Sequence, residues 1–291
     1  MTAPRCRIRV VRCGYELLAW VEAQLDGRQA IRAVRSLHGG ESPWWIDVAP
    51  ASALVLRCPS SRITAEQIAT NAAALTVAER HGLPAPRLLA ASLDGPAPRT
   101  LETVVAGTST WPAACSAELL RAAGAALARV HAVALDPLPR LPSRPRPIAV
   151  DDFAADRRAG RMPATPLLLR ADAVVRALPA PGGPAVFVHG DVWPGNTIVV
   201  GSAVRALIDW KTAGAGSPGV DLGELRKQVA ILYDDDAPRL VLEGWERAAG
   251  TRTADVPYWD AVAALNTPTA LYSPHATSRR DAFLRAAIAQ L

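Results

Sequence analysis

The sequence VFVHGDVWPGNTIVVGSAVRALID, residues 186–209, contains three short apolar runs that end in polar residues. The first run leads into an HGD triplet that ends at Asp191, and Asn196 follows five residues later. A Gly-Ser turn separates the second and third runs, which predicts a β-hairpin that delivers Asp209 at its end. We therefore expect Asn196 and Asp209 at the same end of two adjacent strands, with Asp191 on the loop before them.

These three polar side chains have the chemistry that phosphoryl transfer requires. Carboxylate and amide oxygens suit Mg²⁺, which also keeps water and phosphate oxygens as ligands. A carboxylate on a loop can orient a hydroxyl group and accept its proton. A single Asp is more often a turn cap or the end of a strand. Three such residues at these spacings instead favour a site that bridges phosphates and positions a nucleophile.

The spacing also matches a known catalytic signature in a modified form. Protein kinases use H-R-D-x-x-x-x-N and D-F-G, whereas this chain has H-G-D-x-x-x-x-N and I-D-W. This variant closely resembles the aminoglycoside phosphotransferase family, whose members phosphorylate small molecules. The resemblance implies an α+β, two-lobed protein-kinase-like fold. Its N-terminal lobe would have a small, five-stranded antiparallel β-sheet, and its C-terminal lobe would be mainly helical.

The division into lobes follows from the same resemblance. We place the boundary near Gly107, so that residues 1–106 form the nucleotide-binding lobe with the hinge at its end. Residues 107–291 would then form the catalytic and acceptor-binding lobe. Apolar spacing and turn residues predict N-terminal strands at 30–37, 43–48, 53–57, 87–92 and 99–105. They predict helices at 15–25, 63–81, 117–134, 167–178, 221–233, 237–249, 256–272 and 278–291.

The resemblance assigns a role to each polar residue of the catalytic segment. Asp191 is expected to be the catalytic residue that orients and deprotonates the acceptor hydroxyl. Asn196 and Asp209 are expected to hold Mg²⁺. Asp221 matches the family residue that braces the catalytic loop and opens the next helix.

The resemblance also implies ATP as the phosphoryl donor. Arg57 ends a predicted strand at the position where the family has a cation on the α- and β-phosphates. Thr103 and Val105 are expected to meet the adenine edge through backbone N–H and C=O groups. Backbone amides from Gly40 to Ser42, in a Gly-Gly hairpin turn, are expected to cover the phosphates. That turn contains no G-x-G-x-x-G, and most Gly-Gly hairpin turns are only turns.

One position departs from the family pattern. The kinase pattern requires a helical Glu that pairs with the phosphate-binding cation. Comparison with the family places Asn71 at that position, and Glu66 lies more than a turn earlier. Two alternatives remain: either Asn71 hydrogen-bonds Arg57, or another acid forms the pair.

The length of the segment after the hairpin helps to distinguish a small-molecule kinase from a protein kinase. Only eleven residues separate Asp209 from Asp221, which is too short for a phosphorylatable activation loop, and no A-P-E follows. The HGD triplet also lacks the Arg that would receive an activation-loop phosphate. Both observations favour a small-molecule kinase that is always active over a protein kinase.

Several further side chains have two interpretations each. We favour a solvated surface or a helix start over an acceptor-binding role for the acids and arginines, and a core position for His131. For three aromatic residues, stacking on an acceptor and burial in the core remain open. The acids are Asp234, Asp235, Asp236, Glu243 and Glu246, the arginines are those of the loop 135–147 with Arg157, Arg158 and Arg161, and the aromatic residues are Trp245, Tyr258 and Trp259.

These observations together favour an ATP-dependent O-phosphotransferase that moves the γ-phosphoryl group to a hydroxyl of a small molecule. An antibiotic is the first choice of acceptor, as in aminoglycoside-phosphotransferase-like resistance kinases. A metabolite kinase of the choline or amino-alcohol type is the alternative within the same fold. A pseudokinase module that only binds nucleotide is the alternative from another class, and the presence of Asp191, Asn196 and Asp209 disfavours it.

Composition limits the remaining possibilities. The 291 residues allow two lobes, and no apolar run reaches the ~20 residues that a membrane span requires. The formal charge of +5 suits an anionic partner such as ATP, whereas the scattered arginines without a recognition motif argue against nucleic acid. We see no signal peptide and expect a cytoplasmic protein without a membrane partner. Four cysteines read as reduced thiols: Cys6, Cys13, Cys58 and Cys115.

Overall fold

A computed structural model describes residues 14–27, 29–50, 52–95, 97–253 and 255–291. Cys6, Cys13 and the N-terminal segment that we searched for a signal peptide lie outside these ranges. Cys58 and Cys115 are free thiols, as predicted. No helix in the described ranges is long and apolar enough to cross a membrane.

The N-terminal part contains two helices and five strands. In chain order they are α1 (Tyr15–Glu22), β1 (Ala30–His38), β2 (Glu41–Ala49), β3 (Ser52–Arg57), α2 (Ala65–Arg80), β4 (Leu88–Ser92) and β5 (Arg99–Thr103). The strands form one antiparallel sheet in the order β1-β2-β3-β5-β4, which confirms the predicted five-stranded sheet. Ile46, Leu56 and Leu101 are fully buried in a core that the sheet shares with α1.

Helix α2 begins at Ala65, two residues after its predicted start. The Thr64 hydroxyl accepts a hydrogen bond from the backbone N–H of Gln67, and the Gln67 side chain accepts one from Thr64 N–H. This capping box satisfies two backbone donors that the first turn would otherwise leave unpaired. The buried face of α2 includes Ala74 and Leu75, which belong to the same core as the C-terminal helices.

The C-terminal part is mainly helical. Its elements are α3 (Ala117–His131), β6 (Ser143–Arg144), α4 (Phe153–Arg158), α5 (Pro166–Ala177), β7 (Val186–Val188), β8 (Thr197–Val200), β9 (Ala203–Leu207), β10 (Gly214–Gly216), α6 (Pro218–Leu232), α7 (Ala237–Ala249), α8 (Val256–Leu265) and α9 (Pro274–Ile288). Strands β8 and β9 form the predicted hairpin, and β7 pairs with β10. The protein therefore has the predicted α+β, two-lobed kinase-like architecture.

Helices α3 and α7 cross in close contact through two glycines. A Cβ atom added at Gly124 would lie 2.0 Å from the carbonyl oxygen of Val241, and one at Gly244 would lie 2.0 Å from that of Arg121. No side chain fits at such distances, so the two backbones touch where the glycines face each other.

The chain between the two parts packs against the hairpin. Thr108 N–H donates to Val199 O at 3.0 Å, and Val199 N–H donates to Thr108 O at 2.9 Å. A Cβ atom at Gly107 would lie 2.7 Å from the same Val199 oxygen, and Gly107 has φ 140°, which an L side chain rarely adopts. The lobe boundary that we place at residues 106 and 107 stays a prediction.

Several predicted helices differ from the structure in their limits, and the last two differ most. The helix predicted at 256–272 ends at Leu265, because Asn266 turns away: its Nδ2 donates to Pro147 O at 2.6 Å, and its Oδ1 accepts from Phe153 N. The last helix begins at Pro274 instead of residue 278, because the Ser273 hydroxyl caps it through Ala276 N–H. The short helix α4 was not predicted, and the Asp152 side chain caps it.

Candidate active site

A buried carboxylate binds the backbone of the loop that carries Asp191. Asp221, at the start of α6, accepts hydrogen bonds from the backbone N–H groups of His189 at 2.8 Å and Gly190 at 2.7 Å. His131 Nε2 lies 3.1 Å from the same carboxylate, and Trp245 Nε1 donates to His131 Nδ1 at 2.9 Å. Asp221 therefore lies where the family resemblance expects the bracing acid, and its contacts fix the backbone just before Asp191.

His189 connects this loop to the end of the hairpin. Its ring is buried, Nε2 donates to Ile208 O at 2.9 Å, and Nδ1 accepts from Asp191 N at 3.3 Å. Burial lowers the pKa of His189, so the neutral ring has one donor and one acceptor, which these two contacts use. The next residue must be glycine: Gly190 has φ 83°, and a Cβ there would lie 2.3 Å from Thr212 O.

Asp191 and Asn196 are hydrogen-bonded to each other. Asn196 Nδ2 donates to the backbone oxygen of Asp191 at 2.9 Å and to its carboxylate Oδ2 at 3.2 Å. Burial, followed by the negative charge of Glu224, raises the pKa of Asp191 to about 6. A carboxylate with this pKa is a better proton acceptor near neutral pH than an ordinary Asp.

Asp209 lies at the end of the hairpin between two cations. Its backbone has φ 66° and ψ 57°, a left-handed conformation that Asp tolerates better than most residues. Oδ1 accepts from Arg57 Nη1 at 2.9 Å, and Oδ2 contacts Lys211 Nζ. Burial alone would raise the pKa of Asp209, but the charges of Arg57 and Lys211 outweigh burial and lower the pKa to about 2.

The acid that pairs with Arg57 comes from β5 and not from helix α2. Arg57 Nε lies 3.0 Å from Glu102 Oε1, and both side chains are buried. Asn71 donates to Glu102 Oε1 at 2.6 Å, so its partner is the acid and not the arginine. Of the two alternatives that the sequence left open, the structure shows that another acid forms the pair.

Two adjoining cavities bring most of the predicted site residues together. A cavity of about 780 Å³ is lined by Arg57, Asp191, Asn196, Asp209 and Lys211, together with other residues. A cavity of about 420 Å³ adjoins it, because both are lined by Arg57 and Ile208. The smaller cavity also has apolar walls on strands of both lobes, which include Trp45, Val55 and Ile198.

Thr103 and Val105 line the smaller cavity at the end of β5. Thr103 N–H already donates to Arg87 O at 3.0 Å, so the group that Thr103 can offer a ligand is its carbonyl. Val105 lies beyond the strand, and within the described residues no hydrogen bond uses its N–H. The adenine contact of these two residues stays a prediction.

Gly40 lies in the β1–β2 turn and Ser42 in β2, and neither residue lines either cavity. Gly40 N–H donates to Ser36 Oγ at 3.0 Å, and the buried Ser42 hydroxyl accepts from Cys58 N–H at 2.9 Å. Their phosphate-binding role stays a prediction. In this part of the chain the larger cavity is lined by Leu37, His38 and Pro43.

The side chains with two interpretations are mostly structural. Trp245 and Trp259 are buried, and Tyr258 packs against the core of α5, α8 and α9. The buried Arg157 donates to the carbonyls of Leu265 and Thr267 beyond the end of α8, and Arg158 pairs with Asp172 at 2.6 Å. None of the predicted acids near α7 lines the two cavities, and they cap or pair locally: Asp234 with Ala237 N–H, Glu243 with Arg121, Asp236 with Arg239.

Three residues of the site were missed by the sequence reasoning. Glu102 lies in a predicted strand, but its partner is 45 residues away, and no periodicity reveals such a pair. Lys211 lies two residues after Asp209, so its closeness to that acid was available as a signal. Trp193 lines the larger cavity, and 41% of its surface is exposed. Such exposure is unusual for a large aromatic residue.

The side-chain oxygen atoms of Asn196 and Asp209, at the end of the hairpin, suit a magnesium ion as ligands. In the described ranges no group of three or more His, Cys, Asp or Glu side chains can hold a metal by itself. Asn196 and Asp209 offer one amide and one carboxylate, a small oxygen set that Mg²⁺ completes with water and phosphate. Asn196 Nδ2 is bound to Asp191, and within the described residues no hydrogen bond occupies its Oδ1.

Comparison with known proteins agrees with this geometry. The sequence model of the phosphotransferase enzyme family (APH) matches residues 33–265, and no curated protein matches the sequence significantly. Macrolide 2'-phosphotransferase MphH from Brachybacterium faecium has a TM-score of 0.59 at 18% identity, covering 92% of this chain and 97% of that chain.

Two further structures were solved with ligands. Amicoumacin kinase hAmiN, in complex with AMP-PNP, Ca²⁺ and Ami, has a TM-score of 0.61 at 12% identity and covers 94% of this chain and 96% of that chain. Aminoglycoside phosphotransferase APH(3'')-Id from Streptomyces rimosus, in complex with ADP and streptomycin, has a TM-score of 0.52 at 20% identity, covering 78% and 93%.

The fold and these matches define the class as phosphotransferases with a protein-kinase-like fold. The chain belongs to the phosphotransferase enzyme family (APH), and it is a small-molecule kinase, which confirms the resemblance read from its motifs.

Proposed function

We propose that the protein is an ATP-dependent O-phosphotransferase that moves the γ-phosphoryl group of ATP to a hydroxyl of a small molecule. One observation carries the proposal. Arg57, Asp191, Asn196 and Asp209 line a single cavity of about 780 Å³, and that cavity adjoins a second one of about 420 Å³ with apolar walls. A phosphoryl-transfer site needs a base, metal-binding oxygens and a phosphate-binding cation within one cleft.

Asp191 acts as the catalytic base in this proposal. The acceptor oxygen attacks the γ-phosphorus, the bond from that phosphorus to the β–γ bridging oxygen breaks, and ADP leaves. The hydroxyl proton passes to the Asp191 carboxylate, whose raised pKa of about 6 suits it to accept a proton near neutral pH. Asn196, bound to the Asp191 carboxylate at 3.2 Å, holds that group in place.

Arg57 binds the phosphates directly, and Asn196 and Asp209 would bind them through the metal. Asn196 and Asp209 would hold Mg²⁺, which when bound supplies positive charge to the phosphate oxygens. Arg57 and Lys211 both contact Asp209 in the structure. Phosphate oxygens would compete for these two cations, so nucleotide binding would release the Asp209 carboxylate for the metal. Thr103 and Val105 hold the adenine edge through the carbonyl of the first and the N–H of the second.

The acceptor that we propose is an antibiotic with a free hydroxyl. The macrolide, amicoumacin and streptomycin proteins named above support this choice only through their shared fold. The acids near α7 do not line the cavities, so they give no support to a cationic amino sugar. A metabolite kinase of the choline or amino-alcohol type remains the alternative. The cytoplasmic location and the absence of nucleic acid and membrane partners stay predictions.

A screen of acceptors tests the proposal. Purified protein with ATP and Mg²⁺ is offered macrolides, nucleoside antibiotics, aminoglycosides and amino alcohols, and both ADP release and product mass are followed. We expect acceptor-dependent ADP release with a product heavier by one phosphoryl group, and neither with Asp191→Ala. Tight nucleotide binding by the wild type without transfer to any acceptor would instead support the nucleotide-binding module.

A further inference from the structure

The Glu102 carboxylate is the centre of a buried polar cluster between the sheet and helix α2. Its Oε1 accepts from Arg57 Nε at 3.0 Å, from Asn71 Nδ2 at 2.6 Å and from Thr100 Oγ1 at 3.2 Å. Each of these four residues has at most 7% of its surface exposed. A buried carboxylate is tolerated only when cations or donors satisfy it, and this one has one cation and two neutral donors.

Asn71 extends the cluster to the loop that carries Asp209. Its Oδ1 accepts from the backbone N–H of Trp210 at 3.1 Å, while its Nδ2 donates to Glu102. Arg57 also contacts this loop, because its Nη1 donates to Asp209 Oδ1 at 2.9 Å. A continuous ring of contacts therefore runs from Arg57 through Glu102 and Asn71 to the 209–210 backbone and returns to Arg57.

The charges in this ring determine where Arg57 lies. Arg57 pairs with two acids, Glu102 through Nε and Asp209 through Nη1. Without the negative charge of Glu102, Asp209 would be its only acid partner in the ring. Arg57 would then bind Asp209 more strongly and compete with both phosphate and metal for that carboxylate.

We infer that Glu102 and Asn71 are positioning residues for the nucleotide phosphates, an inference that rests on the proposed function. Glu102 supplies the charge that a helical Glu supplies in kinases, and it does so from β5, in the same sheet as the β3 strand that ends at Arg57. Asn71 is neutral, and its two polar atoms connect Glu102 to the backbone next to Asp209. These contacts fix the position of the phosphate-binding cation.

A pair of substitutions separates this role from a purely structural one. Glu102→Gln removes the charge but keeps the shape of the side chain. Adding Asn71→Asp to it returns one negative charge to the helix. In the double variant, the carboxylate introduced on α2 still accepts from Trp210 N–H, and the amide oxygen introduced on β5 still accepts from Arg57 Nε and Thr100 Oγ1, whereas the hydrogen bond between positions 71 and 102 is lost. Thr100→Val is the matched control, because it removes one hydrogen bond to Glu102 and no charge.

The readout is the affinity for a non-hydrolysable ATP analogue with Mg²⁺, divided by the affinity for adenosine, both measured by calorimetry. Adenosine has no phosphates, so a general loss of structure weakens both ligands, whereas misplacement of Arg57 weakens only the analogue. We expect Glu102→Gln to lower this ratio about ten-fold, the double variant to recover it to within about three-fold, and Thr100→Val to leave it unchanged.

Three results would overturn the inference. A ratio in Glu102→Gln equal to that of the wild type would show that Glu102 does not position Arg57. If Glu102→Gln does not fold, the double variant alone decides, and a folded double variant with a ten-fold lower ratio would contradict the role of the charge. A wild type that binds neither ligand would reject the proposed function together with the inference, whereas the first two results leave the proposed function intact.

Discussion

Arg57 Nη1 lies 2.9 Å from Asp209 Oδ1 and joins the last residue of β3 to the end of the β8–β9 hairpin. The two residues are 152 positions apart in the sequence, and they belong to the two different parts of the fold. The predicted phosphate-binding cation and the predicted metal ligand are therefore in direct contact. This contact has a measurable consequence for stability.

Asp209→Asn should destabilise the folded protein as well as abolish Mg·ATP-dependent transfer. The pKa of Asp209 is lowered to about 2, so its ionised form stabilises the fold above the ordinary Asp pKa, and that stability is lost as pH falls through about 2. At about pH 7 we expect a loss of roughly 2 kcal/mol in the free energy of unfolding, measured by urea denaturation. The difference from wild type should shrink as the pH is lowered. Equal stability at neutral pH would contradict the paired geometry, and near-normal transfer would remove Asp209 from the metal role.

The pH dependence of transfer should report Asp191. Because its pKa is raised to about 6, the ionised base is lost as pH falls through that value, and kcat/KM should fall with it. An ordinary Asp would give a flat profile down to about pH 5. A profile that stays flat down to that value would show that another group limits the reaction.

The same raised pKa predicts the stability of Asp191→Asn without nucleotide. A raised pKa means that the folded protein is destabilised when Asp191 is ionised. The full stability is present below the ordinary Asp pKa, and part of it is lost as pH rises through about 6. The neutral amide avoids this cost, so the variant should be more stable than wild type at about pH 8, by at most roughly 2–3 kcal/mol. Urea denaturation at several pH values measures the difference, and a gain that does not shrink below about pH 5 would argue against the buried ionised carboxylate.

The hinge can be tested at Val105. Val105→Pro removes the backbone N–H that we assign to adenine and should weaken a non-hydrolysable ATP analogue by about 1–3 kcal/mol. Val105→Ala is the control, because it trims the side chain and keeps the N–H. Calorimetric titration of both variants gives the comparison. Unchanged affinity in a folded Val105→Pro protein would mean that the adenine contact lies elsewhere.

The α3–α7 contact should tolerate no side chain. Gly244→Ala places a Cβ atom 2.0 Å from the Arg121 carbonyl oxygen, so the helices must separate. We expect a loss of about 1–3 kcal/mol in the free energy of unfolding. Gly182→Ala, at a site with no atom within 4 Å, is the control and should change stability little. A fully stable Gly244→Ala variant would contradict the close crossing.

The parts of the fold that the sequence predicts well depend on local patterns. The hairpin that aligns Asn196 with Asp209 needs only apolar runs and a Gly-Ser turn, and the start of α2 needs only the Thr64–Gln67 capping box. Helix 256–272 was predicted too long: residues 266–269 are Asn-Thr-Pro-Thr, and Pro268 is a local stop signal for a helix. In the structure the helix ends at Leu265, where Asn266 also makes a non-local contact with Pro147.

The parts that the sequence does not predict depend on contacts between distant segments. Asn71 could be recognised as a departure from the family, but its bond to the backbone of Trp210 spans 139 residues. Glu102 resembles any other strand residue until the sheet pairs β3 with β5. Tertiary packing specifies a buried polar pair of this kind, and the alternation of residues along one strand does not predict it.

The central claim is that Asp191 is the base of a phosphoryl-transfer enzyme, and Asp191→Ala tests it most directly. Asp191→Ala removes the bond from Asn196 Nδ2 to the carboxylate but keeps its bond to the Asp191 backbone oxygen at 2.9 Å. Arg57 and Lys211 contact Asp209 and not Asp191, so we expect nucleotide binding to survive the substitution. Asp94→Ala, which removes an exposed loop carboxylate, is the control.

The measurement compares nucleotide affinity and single-turnover transfer on the same preparation of Asp191→Ala, with an acceptor from the screen. The account predicts nucleotide affinity within a few-fold of wild type and transfer lower by about two or more orders of magnitude. Transfer at the wild-type rate in the folded variant would contradict the account.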